Sequence, residues 1–549
     1  MKFITAFAYW SIVTLILMTH ANAQQVGEVV RGPRLSTEAE AGFSPCPDTI
    51  RILMFKKKVD LGVLLPAWLP VENYDHIAVL EGTVIPQPNS KHIDTHVSPS
   101  DFPYHHYTHD LTFNVKPDIT PDNRYTNLLA LQVTRSEERG VVKSDTILKE
   151  YVHVEWETGL AANNEGNVCA ELNKQGKSCG FYSSGHERKD VIWNWPTLGD
   201  WVHVEGLWLW DRGHPPARTE IHPARLIAVR RNIPVFMKLK ARKWGYATRI
   251  DVFASGDGGA MNNNRTDVPE FVHKVKMSNK DYKFRVKQIL PRPSSNSKLM
   301  YRIDTRKGDT YSGTVAIVSY PVGDINPNDA FVEISIPWKN LPDTEVFART
   351  IYVYWDEGDG LASTVVMNKY KVTIESMRFK HRKEFISKAE YRIFLEVGGD
   401  WLFLNDFADS EDILDDGIGK TWKRKIKINQ EFTVYLPAGK QFRVHLGGWE
   451  ADGVNDIFGR LMDQYSPCNA ETRKWMMDNL DVISPLKLKG CLDDHIGEVH
   501  AMHSATDIGD GQSYSVKSDG LKHKEICPFE SGKQKNRFVL KYTIEPATY

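Results

Sequence analysis

The sequence predicts a mainly β protein of several domains, in which a small N-terminal β-barrel is followed by β-sandwich-like domains with few helices. Short segments of alternating polar and apolar residues, rich in β-branched and aromatic types and bounded by Gly, Pro, Asn and Asp, recur along the chain. Amphipathic helical patterns are rare. The chain has 549 residues, more than one hydrophobic core usually supports, so we expect about three domains.

The N-terminus has the features of a secretory signal peptide. Lys2 precedes an apolar run over residues 3–18, and residues 21–23 read Ala-Asn-Ala, the small-x-small pattern that signal peptidase cleaves. The run is shorter than the roughly 20 residues of a membrane span, and a retained anchor helix is the alternative. We therefore expect a secreted or periplasmic protein with no membrane span after cleavage, beginning near Gln24 with an extension over residues 24–75.

The cysteines fit an exported protein, because disulfides persist outside the cytosol. They are Cys46, Cys169, Cys179, Cys468, Cys491 and Cys527. Cys169 and Cys179 bracket a polar, Gly-containing stretch that a local disulfide could close. We also expect a bridge from Cys468 to Cys491 or Cys527, with Cys46 left unassigned. None lies in a C-x-x-C motif, so catalytic thiols are not expected.

The charge balance and several absent motifs exclude function classes. Lys plus Arg number 69 and Asp plus Glu number 70, which gives no electrostatic case for binding nucleic acid or an anionic membrane. The chain lacks a G-x-S-x-G nucleophile elbow, an H-E-x-x-H helix, a phosphate-binding G-x-x-x-x-G-K loop and a dinucleotide fingerprint. Serine hydrolases, zincin proteases, nucleotide-dependent kinases and NAD enzymes are therefore disfavoured.

Residues 76–232 carry the pattern of a small barrel. The segments 76–85 and 201–210 are regular strands except that Gly82 and Gly206, each preceded by Glu, interrupt them. A glycine inside a strand marks a bulge or a sharp bend, which small closed barrels need at their corners. We predict a barrel of the oligonucleotide/oligosaccharide-binding (OB) type, elaborated by a long insert up to Asp200.

Two sandwich-like units are predicted after the barrel, over residues 246–377 and 386–549. In the second unit, the segments 390–397 and 538–544 alternate in the period of two that is typical of a strand with one buried face. A segment after Cys468 has helical spacing and is predicted as a helical insertion. This pattern is typical of a β-sandwich.

The first domain holds the densest run of potential metal ligands. His105 and His109 lie just before a predicted strand, and Asp110 could bind an ion or orient a histidine. Further along, Glu220 and His222 flank one residue, so both side chains point to the same side of an extended segment. His214 lies across a Gly-His-Pro turn.

Two histidines and a carboxylate form the donor set of open zinc and non-haem iron sites. The sequence therefore predicts a site for zinc, iron or manganese built from the two segments. Its predicted ligands are His105, His109, Asp110, His214, Glu220 and His222.

Polar side chains beside these segments predict further roles. His153, Glu155 and Glu157 alternate along one strand, and His203 and Glu205 along another, which is typical of either a site in a barrel mouth or a solvated sheet face. In a catalytic site, Glu155 or Glu157 would act as general base. Arg212 and Arg218 could hold a phosphate or a carboxylate, or pair with neighbouring acids.

The C-terminal unit offers a weaker metal signal. The acidic segment 405–416 could hold calcium, although it lacks the ligand spacing of an EF-hand, and a solvated acidic loop is the alternative. His500 and His503 are too isolated in the sequence to be assigned a role.

Two classes of function compete on these observations. The first is a secreted metal-dependent hydrolase of esters, phosphoesters included, in which the ion activates water. The second is a non-catalytic protein that binds an extracellular polysaccharide or cell-surface ligand through stacked tryptophans, with Trp208 and Trp210 as ligand contacts. A structural subunit that docks a partner is a third possibility. The tryptophans concerned are Trp193, Trp195, Trp201, Trp208 and Trp210.

Overall fold

The computed structural model describes residues 30–31, 50–54, 57–61, 64–66, 68–70, 77–85, 110–129, 131–138, 141–148, 150–157, 195–211, 218–231, 235–238, 244–255, 280–290, 292, 294–306, 309–320, 330–341, 345–356, 367–379, 390–404, 424–451, 465–467, 494–495, 497–518 and 538–548. Across them the protein is mainly β, as the sequence predicts. Helix in this part of the chain is limited to α1 (Ala505–Ile508) and a 3-10 turn at Thr126–Leu128. Neither has the length and apolar character needed to cross a membrane.

A closed five-stranded barrel lies in the first half of the chain. The strands up to its end are β1 (Val30–Arg31), β2 (Ile50–Met54), β3 (Lys57–Leu61), β4 (Leu64–Pro66), β5 (Trp68–Pro70), β6 (Ile77–Ile85), β7 (Asp110–Pro117), β8 (Leu131–Glu138), β9 (Val141–Leu148), β10 (Val152–Glu157), β11 (Trp201–Asp211) and β12 (Arg218–Arg230). Strand β6 pairs with β7 and β11, β7 pairs with β10, and β12 closes the barrel by pairing with both β10 and β11. The β10–β12 pair is parallel and the others are antiparallel. The predicted barrel is confirmed.

One face of each barrel strand is apolar and the opposite face is mixed. Val154 on β10 pairs with Phe113 on β7 and with Ile221 on β12, and all three side chains are fully buried. Because small barrels fill their interior with side chains, this apolar set lines the inside and the alternate residues point outwards. Some outward residues, such as Leu226 and Ala228, pack into the core of the following sheets.

The two predicted strand glycines lie where barrel strands approach most closely. A Cβ atom on Gly82 would lie 2.1 Å from the carbonyl oxygen of Lys116, and one on Gly206 would lie 2.6 Å from that of Pro223. The β11–β12 register shifts on both sides of Gly206, which is the predicted bulge. Gly82 pairs without a register shift, so it permits close approach between strands and forms no bulge.

The central part of the chain extends the barrel sheet and covers it with a second sheet. Its strands are β13 (Val235–Lys238), β14 (Trp244–Ser255), β15 (Tyr282–Val286), β16 (Lys298–Thr305), β17 (Ala316–Tyr320), β18 (Phe331–Ile336) and β19 (Val346–Asp356). β14 pairs with β12 of the barrel, and β19 and β16 continue the same sheet, while β15, β18 and β17 form a separate one. Ile334, Trp338 and Ile351 belong to the shared core of these sheets.

The C-terminal part contains two further sheets around a second large core. Its strands are β20 (Met367–Phe379), β21 (Glu390–Val397), β22 (Asp400–Leu404), β23 (Arg424–Pro437), β24 (Gln441–Ala451), β25 (Tyr465–Pro467), β26 (Asp494–His495), β27 (Val499–Ser504), β28 (Gln512–Lys517) and β29 (Phe538–Pro546). One sheet has the order β23-β20-β29-β28, and the other contains β22, β21, β24, β26 and β27. The predicted alternation at the C-terminus is confirmed by the four fully buried side chains of Phe538, Leu540, Tyr542 and Ile544.

Candidate metal centre

The parallel pairing of β10 with β12 brings two polar rows together on the outer face of the barrel. His153 and Glu155 alternate with the inward Val154, and Glu220 and His222 alternate with the inward Ile221. Since His153 lies opposite Glu220 in the register, the four polar side chains lie on one face of neighbouring strands. Their convergence depends on the pairing of strands that are far apart in the sequence.

The four side chains are in direct contact. Nε2 of His153 lies 2.8 Å from Oε1 of Glu155, and Nδ1 of His222 lies 3.1 Å from Oε2 of Glu155. The same Nδ1 atom lies 3.1 Å from Oε1 of Glu220. His153, Glu155 and Glu220 each offer a donor atom within 4.8 Å of the other two. Predicted residues Glu155, Glu220 and His222 are thus brought together, and His153 joins them.

Asn114 on β7 holds the other side of the His153 ring. Its Oδ1 atom lies 2.7 Å from Nδ1 of His153, so both ring nitrogens face oxygen acceptors. A neutral imidazole has a single N–H and can donate to only one of them. If Nδ1–H donates to Asn114, Nε2 directs a lone pair at Glu155, and a cation between them would make that arrangement favourable. Metal-bound histidines commonly donate their other N–H to an oxygen in this way.

The cluster is buried, so a net charge on it is energetically costly. His153 is 4% exposed, and Glu155, Glu220 and His222 are 0% exposed. Two carboxylates brought together away from water are unfavourable unless positive charge lies close to both. Protonated imidazoles can supply this charge, and so can a divalent cation held by the four side chains. The donor atoms are the nitrogen and oxygen types that zinc, iron and manganese accept.

The donor spacing can be compared with that of a transition-metal site, most directly for His153, Glu155 and Glu220, whose donor atoms all lie within 4.8 Å of one another. Metal–ligand bonds of about 2.1 Å place the ligand atoms of a tetrahedral site roughly 3.4 Å apart. The measured donor separations of 2.8 and 3.1 Å are therefore short of that spacing by a few tenths of an ångström. For an ion to be shared by all four side chains, these donors would have to move apart and His222 would have to turn towards the point shared by His153, Glu155 and Glu220.

The remaining predicted ligands are only partly described. Asp110 begins β7 and Glu157 ends β10, and the register pairs the two residues, but their side chains are not among those that the structure describes. The same holds for Arg218 on β12 and Trp210 on β11. His105, His109, Arg212 and His214 lie outside the described residues altogether, as do all six cysteines, the acidic segment 405–416 and the predicted helical insertion.

The described tryptophans of the predicted stacking cluster are buried. Trp195 is 0% exposed, Trp201 5% and Trp208 7%. Trp195 packs edge-on against Phe113, with ring centroids 5.4 Å apart. The indole of Trp201 donates to Asp118 and lies under the guanidinium of Arg230. These rings fill the structure and present no open face to a ligand.

A second polar row on the barrel forms a chain of ion pairs. Nδ1 of His203 lies 3.0 Å from Glu81 and its Nε2 atom 3.1 Å from Glu205, while Lys280 lies 2.9 Å from Glu205. Burial lowers the pKa of His203, but hydrogen bonds to Glu205 and Glu81 outweigh it and the net pKa is raised. Burial raises the pKa values of both carboxyls, yet His203 brings them below the ordinary value. Both ring nitrogens of the charged His203 therefore have protein partners.

A third cluster, in the C-terminal sheets, was not indicated by sequence spacing. His445, Glu498 and His500 also offer donor atoms within 4.8 Å of one another. His445 is distant from the other two in sequence, so only the β24–β27 pairing reveals the group.

No family model, curated protein or solved structure matches this chain.

Proposed function

We propose that the protein is a secreted metal-binding protein whose barrel holds a divalent transition ion between His153, Glu155, Glu220 and His222. The observation that carries this proposal is the contact of two buried carboxylates with two imidazoles on the paired strands β10 and β12. Zinc, iron and manganese all accept this donor set. Export, predicted from residues 1–23, is part of the proposal.

The burial of the four donors favours a structural ion over a catalytic one. Structural sites are closed by protein ligands, whereas catalytic sites keep a position open to water or substrate. With four protein donors at 0 to 4% exposure, this centre resembles the closed type. Glu155, predicted as a general base, would be a ligand in this arrangement. A metal-dependent hydrolase of esters or phosphoesters is therefore the second form of the proposal.

We also propose that the barrel is of the OB type. The support is its strand order, in which the third and fifth strands, β10 and β12, are parallel and the fourth, β11, lies between the fifth and the first. OB barrels bind oligosaccharides or oligonucleotides on the face of their second and third strands. Here Asn114, His153 and Glu155 lie on that face and are buried. This burial favours an ion over a glycan at the face.

The non-catalytic glycan-binding function is therefore the weaker candidate. Stacking on a sugar requires an open aromatic face, and burial removes that option for Trp195, Trp201 and Trp208. Trp193 and the side chain of Trp210 lie outside the described residues, so a ligand platform would have to be built from them. This candidate would regain support if the Trp210 ring were exposed and its mutation weakened the binding of a glycan by the protein.

Elemental analysis of the purified, full-length protein by plasma mass spectrometry tests the metal centre. We expect zinc, iron or manganese in the parent protein, and one ion fewer per chain in His153→Ala and His222→Ala. His503→Gln is the matched control, because His503 is also buried but bonds Tyr542 far from the centre. A folded parent that neither contains nor takes up these ions would overturn the proposal.

A further inference from the structure

We propose a second divalent metal site in the C-terminal sheets, with His445, Glu498 and His500 as its protein ligands. It is independent of the barrel centre, because it lies on other strands and uses other residues. The donor set of two imidazoles and one carboxylate is the one that zinc and non-haem iron take when further positions are filled by water.

Strand geometry places the three side chains on one face. His445 on β24 lies directly opposite His500 on β27 in the antiparallel register, and opposite residues point to the same side of a sheet. Glu498 is two residues before His500 and shares that side. Val444, Leu446 and Val499 alternate with them and belong to the apolar core, so the cluster faces away from that core.

The distances bring the three donors within reach of one ion. Oε2 of Glu498 lies 2.8 Å from Nε2 of His500 and 3.6 Å from Nε2 of His445. Bonds of about 2.1 Å to a common ion would separate such donors by roughly 3.0 to 3.4 Å, in octahedral or tetrahedral geometry. One measured separation is below this interval and the other above it, so a small shift of Glu498 would satisfy both.

The two imidazoles are stacked, which limits their charge. Their ring centroids lie 4.3 Å apart with an interplanar angle of 26°. Two cationic rings at this distance would repel, so the arrangement favours a neutral form of at least one of them. A neutral imidazole is the form that binds a metal.

The surroundings of the cluster include a second carboxylate, and the two histidines differ in exposure. The nearby carboxylate of Glu396 is occupied by Nε of Arg443 at 2.5 Å and by the backbone N–H of Gly399. His445 is 0% exposed, whereas the side chain of His500 is 10% exposed. The ion would therefore enter from the His500 side, where water could complete its coordination.

The test is a zinc titration of the chelator-treated, full-length protein by calorimetry, with His500→Gln and Glu498→Gln as variants. We expect each variant to bind one zinc ion fewer than the parent, with affinity at this site reduced by at least about 100-fold. His503→Gln, on the same strand but bonded to Tyr542, is the control and should bind as the parent does. Near-ultraviolet circular dichroism reports whether each variant keeps its fold.

The barrel centre contributes equally to the parent and to all three of these variants, so the difference between them reports the second site alone. An equal number of zinc ions in folded His500→Gln, folded Glu498→Gln and the parent would overturn the proposal. Should either ligand variant lose its fold, absorption by cobalt bound to the parent gives a second measurement. Cobalt spectra that show no nitrogen ligands beyond those of the barrel centre would also overturn the proposal.

Discussion

Nη1 of Arg249 lies 2.9 Å from Oδ1 of Asp400 and joins two sheets that share no paired strands. Arg249 is on β14, which continues the barrel sheet, and Asp400 begins β22 in the C-terminal part. The same guanidinium reaches Asp251 at 2.9 Å. Beside it, Arg231 bonds both Asp200 and the carbonyl of Gly399. Two buried arginines therefore connect the turn before β22 to the sheet that continues the barrel.

Loss of the Asp400 carboxylate should weaken this connection. Burial lowers the pKa of Arg249, but Asp251 and Asp400 outweigh it and the net pKa is raised, so the guanidinium stays charged. We expect Asp400→Asn to lower the free energy of unfolding by about 1 to 3 kcal/mol, because a buried cation loses a partner. Urea denaturation measures the change.

Asp304→Asn is the matched control for Asp400→Asn. Its pair with Arg302 has a similar length of 2.7 Å, but the two side chains are 41% and 45% exposed. Exposed pairs contribute less than about 1 kcal/mol. Equal losses in the two variants would contradict a special role for the Arg249 pair.

The ion chain around His203 should make stability depend on pH. Glu81 and Glu205 have lowered pKa values, so their contribution is present above the ordinary value of 4.5 and is lost as pH falls through the lowered values. His203 has a raised pKa, so its contribution is present below 6.5 and is lost as pH rises through the raised value. The stabilisation is therefore greatest between these two limits.

His203→Gln should remove this pH dependence. We expect the parent and the variant to differ most in unfolding free energy between pH 4.5 and 6.5, and to converge at alkaline pH. Chemical denaturation across the pH range provides the comparison, with His503→Gln as a second buried histidine variant. A constant difference at every pH would mean that His203 acts by packing on Phe284, 4.6 Å away, and not by charge.

A methyl group at Gly82 should strain the barrel. The added Cβ atom would meet the Lys116 carbonyl oxygen at 2.1 Å, and this neighbour is backbone that cannot rotate away. Overpacking of this kind usually costs about 1 to 3 kcal/mol, and we expect Gly82→Ala to lie at the upper end. Thermal unfolding measures it, and Thr83→Ala on the same strand is the control. A Gly82→Ala protein as stable as the control would mean that β6 and β7 separate easily.

Asn114 should control the affinity of the barrel centre without touching the ion. In the tautomer in which Nδ1–H of His153 donates to its Oδ1 atom, Asn114 orients the ring and leaves Nε2 for the metal. We expect Asn114→Leu to weaken zinc binding at this centre by about 10- to 100-fold, and Asn114→Asp to retain it. Lys116→Ala is the control, since Lys116 is on the same strand but exposed. Competition with a chromophoric chelator measures all three, and unchanged affinity in Asn114→Leu would exclude this role.

Local patterns carried much of what the sequence predicts. The period of two correctly placed Glu220 and His222 on one side of β12, and the interrupted strand at Gly206 correctly indicated a bulge. These features depend on residues within a few positions of one another. The alternation over 538–544 succeeded for the same reason.

Pairing between distant strands could not be obtained in this way. The parallel alignment that sets His153 against Glu220 depends on how the whole barrel closes, and no local pattern encodes it. His500 was left unassigned because its partner His445 lies on another strand. The tryptophan cluster was ambiguous for a different reason, since a burial pattern and a stacking platform have the same composition, and only packing distinguished them.

The parallel contact between β10 and β12 also has a consequence for the order of folding. The barrel cannot close until β12 pairs with β10, on the far side of the long insert. The entropy of this long loop is therefore lost before the β10–β12 contact contributes to stability. Until β12 has formed, β6, β7 and β10 would remain an open antiparallel meander with exposed apolar side chains. In the proposed metal centre the ligands come from both strands of this late contact, so metal binding would report that the barrel has closed.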